Sequence, residues 1–242
     1  MQPVRSYLLS LLLLLCVVGS NAAYADAHDN IRITLGNDAA QQIADLGLEV
    51  PVVGRAFVII SQSGEEEPRL GTGVTGHPLW GVDVRDYAAG SSAIIADGAD
   101  SVRGYPFASL SDLPPGDYFV QAFLNVYTTF HRADGHTIEA HMNSGAFQKP
   151  FEAPGNAYSD VQKITVAESG LPAIDLTLNN VIQPPRPLED GEVLQLGNFE
   201  DTEWVKYVKI RSKKLSAFWG RDIYLGANIL LPPGYDEHPD AI

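Results

Sequence analysis

From residue 31 to about residue 180 the chain consists of short apolar segments rich in β-branched and aromatic residues, bounded by Gly, Pro, Asp or Asn. The predicted strands span residues 31–35, 55–61, 92–96, 118–129, 137–142, 161–167 and 174–178. One short helix is predicted over residues 39–46, capped by Asn37 or Asp38 and ended by Gly47. Because helical periods do not separate the strands, the pattern favours an antiparallel β-sandwich over βαβ units.

Residues 113–118, with the sequence LPPGDY, form the clearest local pattern in this region. Two prolines and a glycine are typical of a tight turn, and alternating apolar residues then follow from Tyr118 to Val126. This order of turn, tyrosine and alternating strand resembles a late strand of transthyretin-like and immunoglobulin-like sandwiches. Asp134 and Gly135 supply the turn of a further hairpin. We therefore expect residues 26–180 to form one β-sandwich domain.

The first 25 residues have the pattern of a secretory signal peptide. Arg5 precedes an apolar run over residues 7–18, and Ala23 and Ala25 form an A-x-A cleavage pattern. The run is too short to span a bilayer comfortably, since a membrane helix needs roughly twenty apolar residues. Cleavage would place the chain in the periplasm or outside the cell, free of the membrane. It would also remove Cys16, the one cysteine, which excludes disulfides and cysteine-based zinc sites.

The chain is strongly acidic, with 30 Asp and Glu residues against 16 Lys and Arg residues and a net charge of −14. Nucleic acid is therefore not predicted as a partner, because phosphate binding needs clustered Lys and Arg. The basic run in residues 204–214 alternates with apolar residues, which is typical of a strand with a charged outer face. Residues 181–190, VIQPPRPLED, predict a proline-rich linker before a second unit over residues 191–242.

Sequence motifs that indicate catalysis or cofactor binding are absent or lack the neighbouring strand and helix that they require. G-x-S-x-G, S-x-x-K and H-E-x-x-H are absent from the sequence. Residues 71–76 match G-x-G-x-x-G, but EEEP comes shortly before them and His77 and Pro78 follow. A dinucleotide site needs a strand before this motif and a helix after it, so the run predicts a surface loop. No cofactor is predicted.

Three histidines, His131, His136 and His141, recur at intervals of five residues and suggest a metal site. In a strand over residues 137–142, however, His136 and His141 would have opposite parity and point to opposite faces. A bulge would be needed to bring them together. The simpler alternative is that the three histidines belong to the surface of a hairpin.

The last part of the sequence carries a resemblance to a known family. Two strands are predicted over residues 204–211 and 222–231, joined by a turn around residues 216–220. The second strand, DIYLGANILL, is apolar and leads into LPPGYD at residues 231–236. This order resembles the opening of esterase D type α/β-hydrolases, including secreted members that carry a β-rich domain before the hydrolase. The resemblance implies that residues 191–242 supply the opening strands of such a domain. It also implies that the nucleophile, acid, base and oxyanion hole lie beyond Ile242, so no residue of this chain is assigned a catalytic role.

The leading hypothesis is therefore a truncated chain, the non-catalytic N-terminal portion of a secreted serine esterase. Its partner would be the missing C-terminal catalytic domain of the same protein. One alternative is a stand-alone extracytoplasmic β-sandwich that binds carbohydrate or protein, with Trp80, Tyr87, Tyr105 and Tyr127 as candidate contacts. The other alternative is a metal-binding domain built on the three histidines.

Overall fold

The computed structural model describes residues 30–141, 149–184, 187 and 201–235, and it is mainly β, as predicted. The strands are β1 (Asn30–Leu35), β2 (Val52–Ser61), β3 (Leu79–Tyr87), β4 (Ser92–Ala96), β5 (Arg103–Tyr105), β6 (Gly116–His131), β7 (Thr137–His141), β8 (Ala157–Ser159), β9 (Gln162–Val166), β10 (Ile174–Val181), β11 (Val205–Arg211) and β12 (Tyr224–Leu230). The α-helices are α1 (Asn37–Asp45) and α2 (Lys213–Trp219), and short 3-10 turns lie at Pro68–Gly71, Leu110–Asp112 and Pro150–Glu152. The predicted signal peptide and half of the predicted linker, residues 185, 186 and 188–190, lie outside the described residues.

Ten strands form one curled mixed sheet in the order β4-β1-β10-β8-β6-β2-β3-β5, and β7 and β9 also pair with β6. The long strand β6 is the centre of this sheet, since β2, β7, β8 and β9 all pair with it. The predicted purely antiparallel pairing is wrong at one place, because β1 runs parallel to β10 with Ile31 opposite Ile174. The first strand thus enters the sheet from the same end as a late strand, a long-range pairing that local sequence patterns do not reveal.

The inner face of the curled sheet forms the main core. Alternate residues of β2 (Ala56, Val58 and Ile60) and of β6 (Val120, Ala122 and Leu124) point inward and are almost completely buried. Helix α1 contacts β10 and contributes buried Ala39, Ala40 and Ile43 to the same core. This apolar interior is the source of the stability of a domain without disulfides.

Helix α1 begins at Asn37, two residues earlier than predicted, and its N-cap is Gly36 instead of Asn37 or Asp38. The N–H of Gly36 donates to the Leu178 carbonyl over 3.0 Å. A Cβ at this position would lie 2.7 Å from that carbonyl oxygen and would also meet Asn179. Close approach to β10 therefore requires glycine here. The predicted end at Gly47 is confirmed, because Gly47 has a φ of +75°.

Three strands, β3, β5 and β8, were not predicted from the sequence. In β3, Gly81, Asp83, Arg85 and Asp86 interrupt the apolar pattern, yet the strand pairs with β2 along most of its length. The predicted strands at residues 204–211 and 222–231 are confirmed as β11 and β12, which form a separate two-stranded sheet. The segment between them is helix α2 instead of a turn, because the Ser212 side chain accepts from Leu215 N and Gly220 ends the helix at φ +68°.

A second apolar layer lies on the outer face of β2 and β6. Phe123 is completely buried, and its ring centroid lies 6.4 Å from that of Phe57 and 4.7 Å from that of Phe151. Beside these rings, the Arg69 Nε donates to Glu67 over 2.7 Å and its guanidinium lies 4.3 Å from the Tyr158 ring centroid. These contacts attach the 3-10 turns at residues 68–71 and 150–152 to the sheet.

Candidate binding cleft

A cleft of about 490 Å³ opens where β2 ends and β6 begins. Its walls come from four chain segments, and the lining residues are Ile60, Ser61, Gln62, Ser63, His77, Pro78, Pro106, Phe107, Leu113, Pro114 and Tyr118. The volume lies within the range of small-molecule sites in proteins. This cleft is therefore the candidate functional site.

Backbone and hydroxyl hydrogen bonds hold the floor of the cleft in place. Tyr118, which is 3% exposed, donates its hydroxyl to the Pro114 carbonyl over 2.8 Å. The N–H of Ile60 donates to the Pro78 carbonyl over 3.0 Å. These bonds tie the 113–118 turn and the Pro78 segment to the ends of the central strands. The sequence pattern LPPGDY thus supplies three lining residues, Leu113, Pro114 and Tyr118, at the point where the turn meets β6.

The opposite wall carries Pro106 and Phe107, and it packs on Trp80. A Cβ at Gly104 would clash with the Phe107 carbonyl and the Trp80 ring, so this close packing requires glycine. After the wall residues in the sequence, the Leu110 N–H donates to the Asp97 carboxylate over 2.7 Å. Burial disfavours the Asp97 carboxylate, but hydrogen bonds from its neighbours outweigh burial and hold its pKa below the usual value. The wall is thus fixed at both ends.

The polar side chains that line the cleft are Ser61, Gln62, Ser63, His77 and Tyr118. Asp, Glu, Lys and Arg do not occur among the lining residues. The hydroxyl of the buried Ser61 donates to the Ser63 carbonyl over 2.9 Å, so that proton is engaged with the backbone. The Gln62 Nε2 lies 3.4 Å from the Tyr118 hydroxyl, a distance at which a hydrogen bond is weak. The amide of Gln62 therefore remains able to bind a ligand.

Residues 71–76 form a loop beside the cleft, as predicted from the G-x-G-x-x-G run. A Cβ at Gly71 would clash with the His77 ring, and one at Gly76 would clash with the Gly71 carbonyl. These two glycines let the loop fold tightly behind His77, which lines the cleft. The motif has a packing role here. The residue pattern G-x-G-x-x-G alone does not distinguish this role from phosphate binding.

The three candidate histidines do not gather into one site in the described part of the chain. His131 Nδ1 lies 3.1 Å from Thr137 Oγ1, and the exposed His136 Nδ1 lies 3.2 Å from Asp134 Oδ1. His141 lies opposite Tyr127 at the far end of the same hairpin. Within residues 30–141, 149–184 and 201–235, no group of three or more His, Cys, Asp or Glu side chains is placed to hold a metal ion.

The four aromatic residues considered as ligand contacts have different environments. Trp80 is completely buried, and Tyr87 is 3% exposed with its hydroxyl donating to the Ile33 carbonyl over 2.5 Å. Both are therefore core residues, and the hypothesis that they contact a ligand is wrong. Tyr105 is about half exposed and donates to the Val74 carbonyl over 2.7 Å, and Tyr127 is half-buried.

His141 gives the fold a pH dependence of known sign. Burial lowers the pKa of its imidazole, and this effect outweighs the opposing contact with the Val126 backbone. The unfolded chain therefore takes up a proton near pH 6.5, before the native state does. We expect the stability attributable to His141 to be complete above pH 6.5 and to be lost as the pH falls from 6.5 toward the lower pKa of the native state.

The measurement is the free energy of unfolding in urea at pH values above and below 6.5. The variant His141→Gln should lose less stability than the wild type as the pH falls through this range. His136→Gln is the matched control, because the His136 side chain is 74% exposed. Identical pH profiles for wild type and His141→Gln would contradict this prediction.

Among the described residues, no helix is long and apolar enough to cross a membrane. Comparisons with family models, with curated proteins and with solved structures found no match for this chain.

Proposed function

We propose that the chain is the non-catalytic, β-rich N-terminal portion of an extracytoplasmic esterase-like hydrolase. In this proposal the large sheet is a scaffold that holds the opening strands of an α/β domain. The observation that carries it is a packed contact between the β6–β7 hairpin and the α2 unit. We name this contact the seam and define it by Phe130, Arg132, Ala133, Phe218 and Trp219.

The seam combines aromatic, cationic and backbone contacts. The Phe130 and Trp219 ring centroids lie 5.4 Å apart in an edge-to-face arrangement. The Arg132 guanidinium lies 5.0 Å from the Phe218 ring centroid. The N–H of Ala133 donates to the Phe218 carbonyl over 2.7 Å. These contacts support a fixed position for β11 and β12 beside the large sheet, as a scaffold function requires.

One face of the β11–β12 sheet is apolar and exposed. Ile210 lies opposite Leu225, and their exposed fractions are 61% and 54%. Val208 and Ile229 share this face by strand alternation, and Ile229 is 43% exposed. Lys206 lies opposite Ile229 and ends the apolar part of the face. A contiguous exposed apolar face marks an interaction site. We propose that the further elements of the α/β domain cover this face, in agreement with the resemblance of residues 222–236 to esterase D type hydrolases.

We also propose that the large sheet is a sandwich of the transthyretin-like or immunoglobulin-like type. The sheet curls so that β3, near one end of the strand order, contacts β4 at the other end. This approach encloses the apolar core between two halves of one sheet. The signal-peptide pattern over residues 1–25 supports a periplasmic or secreted location.

The cleft favours a second candidate function, a binding module that acts without a hydrolase domain. Its volume of about 490 Å³ and its mixed apolar and hydrogen-bonding lining are typical of ligand sites. The histidine metal site stays a prediction of the sequence, and the observed placement of the three residues gives it no support.

The scaffold proposal is tested by removing one side of the seam. Trp219→Ala removes an aromatic pair and a cation–π contact, together worth about 1–2 kcal/mol. We expect amide hydrogen exchange in β11 and β12 to accelerate about tenfold, since tenfold corresponds to about 1.4 kcal/mol. Exchange in β2 and β6 should not change. Hydrogen exchange with mass spectrometry on the full chain measures both regions at once.

Trp204→Ala is the matched control, because Trp204 is 47% exposed and precedes the same hairpin. It should leave exchange in both regions unchanged. Equal exchange in wild type and Trp219→Ala would contradict the scaffold. So would hydrolysis of short acyl esters by the purified chain that a serine-acylating reagent abolishes. A reading frame that closes directly after codon 242 would contradict the link to a hydrolase.

A further inference from the structure

We infer that the cleft binds the uncharged, ring-bearing arm of a neutral ester. The assignment of the ligand as an ester rests on the proposed function, whereas the preference for uncharged rings rests on the cleft alone. Three features of the cleft carry the inference: the absence of charged lining side chains, the flat apolar surfaces of its walls, and the few polar groups that remain able to bind.

The lining selects against charged ligands. Its residues include no Lys or Arg to compensate a bound anion and no Asp or Glu to compensate a bound cation, and His77 supplies its one imidazole. An ion that enters an apolar site without a counter-charge loses its hydration and gains no partner. Because the chain has a net charge of −14, an anion is also repelled over a longer range. An uncharged ligand has none of these penalties.

The walls favour a flat ring. Pro78, Pro106 and Pro114 come from three different loops and present proline rings to the cleft, together with the aromatic rings of Phe107 and Tyr118. Planar ligands gain contact area on such surfaces, and aromatic pairs gain about 0.5–1.5 kcal/mol beyond area burial. The close packing of Gly104 on Trp80 fixes this wall before a ligand arrives, which reduces the cost of ordering on binding.

One polar group can orient the ligand. The Gln62 amide makes only the 3.4 Å contact with the Tyr118 hydroxyl, so its N–H groups are able to donate to an ester carbonyl. The Tyr118 hydroxyl already donates to the Pro114 carbonyl, so it does not supply a second donor. The ester carbonyl therefore matches the Gln62 amide, and the ring of the ligand matches the apolar remainder of the cleft.

The experiment compares three naphthalene probes that differ in charge. The purified full chain is titrated with 1-naphthyl acetate, with 1-naphthoate and with 1-naphthylmethylammonium, and binding is followed by calorimetry and by naphthalene fluorescence. We expect the neutral ester to bind at least about tenfold more tightly than either ion, because each ion leaves a charge uncompensated. Naphthol release in the same samples is monitored to confirm that the ester stays intact.

Two variants assign the binding to the cleft. Phe107→Ala removes a half-buried ring and should weaken binding of the ester by about fivefold or more. Gln62→Ala removes an exposed amide, leaves the core untouched and should weaken binding by about threefold. Gln41→Ala on helix α1 is the matched control, since Gln41 is exposed and does not line the cleft, and it should bind as the wild type does.

Similar affinities for the three probes would overturn the inference, and so would no binding of the ester. Unchanged affinity in Gln62→Ala and Phe107→Ala would also overturn it, because both remove lining side chains. These outcomes differ from those that test the scaffold. Failure of the cleft experiment with a normal seam response leaves the scaffold proposal intact. Binding of the ester by a chain without a downstream hydrolase supports the binding-module function instead.

Discussion

Replacing Trp80 with alanine is expected to destabilise the protein by about 3–5 kcal/mol. Trp80 lies in β3 opposite Val58 and Gly104, and it is completely buried. The substitution removes the largest side chain of the core and leaves a cavity that its neighbours fill only partly. The urea midpoint of unfolding should therefore fall sharply, with little change in the slope of the transition.

Trp204→Ala is the control for the loss of an indole ring. Because Trp204 is 47% exposed, its replacement should change the free energy of unfolding by no more than about 0.5 kcal/mol. If the two variants had the same stability, Trp80 would not be the core residue that its burial indicates. The hypothesis that Trp80 contacts a ligand would then regain support.

Whether a strand or helix could be predicted depends on the kind of residue that marks it in the sequence. The predicted strands were found because β-branched residues dominate them, as in RAFVIIS at residues 55–61. Strand β3 was missed because Gly81, Asp83 and Asp86 break its apolar alternation, although Trp80 and Val84 still face the core. The cap of α1 was misplaced because Gly36 is required by its close approach to Leu178, a contact that no local sequence signal reveals.

The cleft could not be predicted because its walls are distant in the sequence. Leu113, Pro114 and Tyr118 came from the LPPGDY pattern that the sequence analysis singled out, whereas Pro78 and Pro106 carry no signal beyond that of a turn. Charge patterning did indicate that phosphate ligands are unsuitable, and the uncharged lining extends that conclusion to a specific site. The histidine spacing suggested a metal site, but strand parity already favoured three histidines on the surface of a hairpin, and β6 and β7 do distribute them along its length.

Arg69→Met is expected to cost about 2–3 kcal/mol, the largest effect among substitutions of charged residues in the described part of the chain. The Arg69 side chain is 11% exposed, and it donates to Glu67 over 2.7 Å and to the Phe151 carbonyl over 2.6 Å. Its loss leaves both acceptors without this donor and removes the cation from the Tyr158 ring. This expected loss of stability is below the usual range for breaking a buried ion pair because the Glu67 side chain is 38% exposed.

Arg32→Met separates this effect from the general loss of an ion pair. Arg32 and Asp175 are 58% and 81% exposed, so breaking their 3.1 Å contact should cost less than about 0.5 kcal/mol.

The free energy of unfolding at acid pH gives a second test of the role of Arg69. Burial raises the pKa of Glu67, but hydrogen bonds from Arg69 and Gln121 outweigh burial and hold the pKa below 4.5. The stability that this carboxylate contributes is therefore present above pH 4.5 and is lost as the pH falls through the lower native pKa. Without Arg69 that contribution shrinks, so the difference in stability between wild type and Arg69→Met should narrow as the pH falls below 4.5. A difference that stays constant with pH would show that Arg69 stabilises the fold without its ion pair to Glu67, through its contacts with Phe151 and Tyr158.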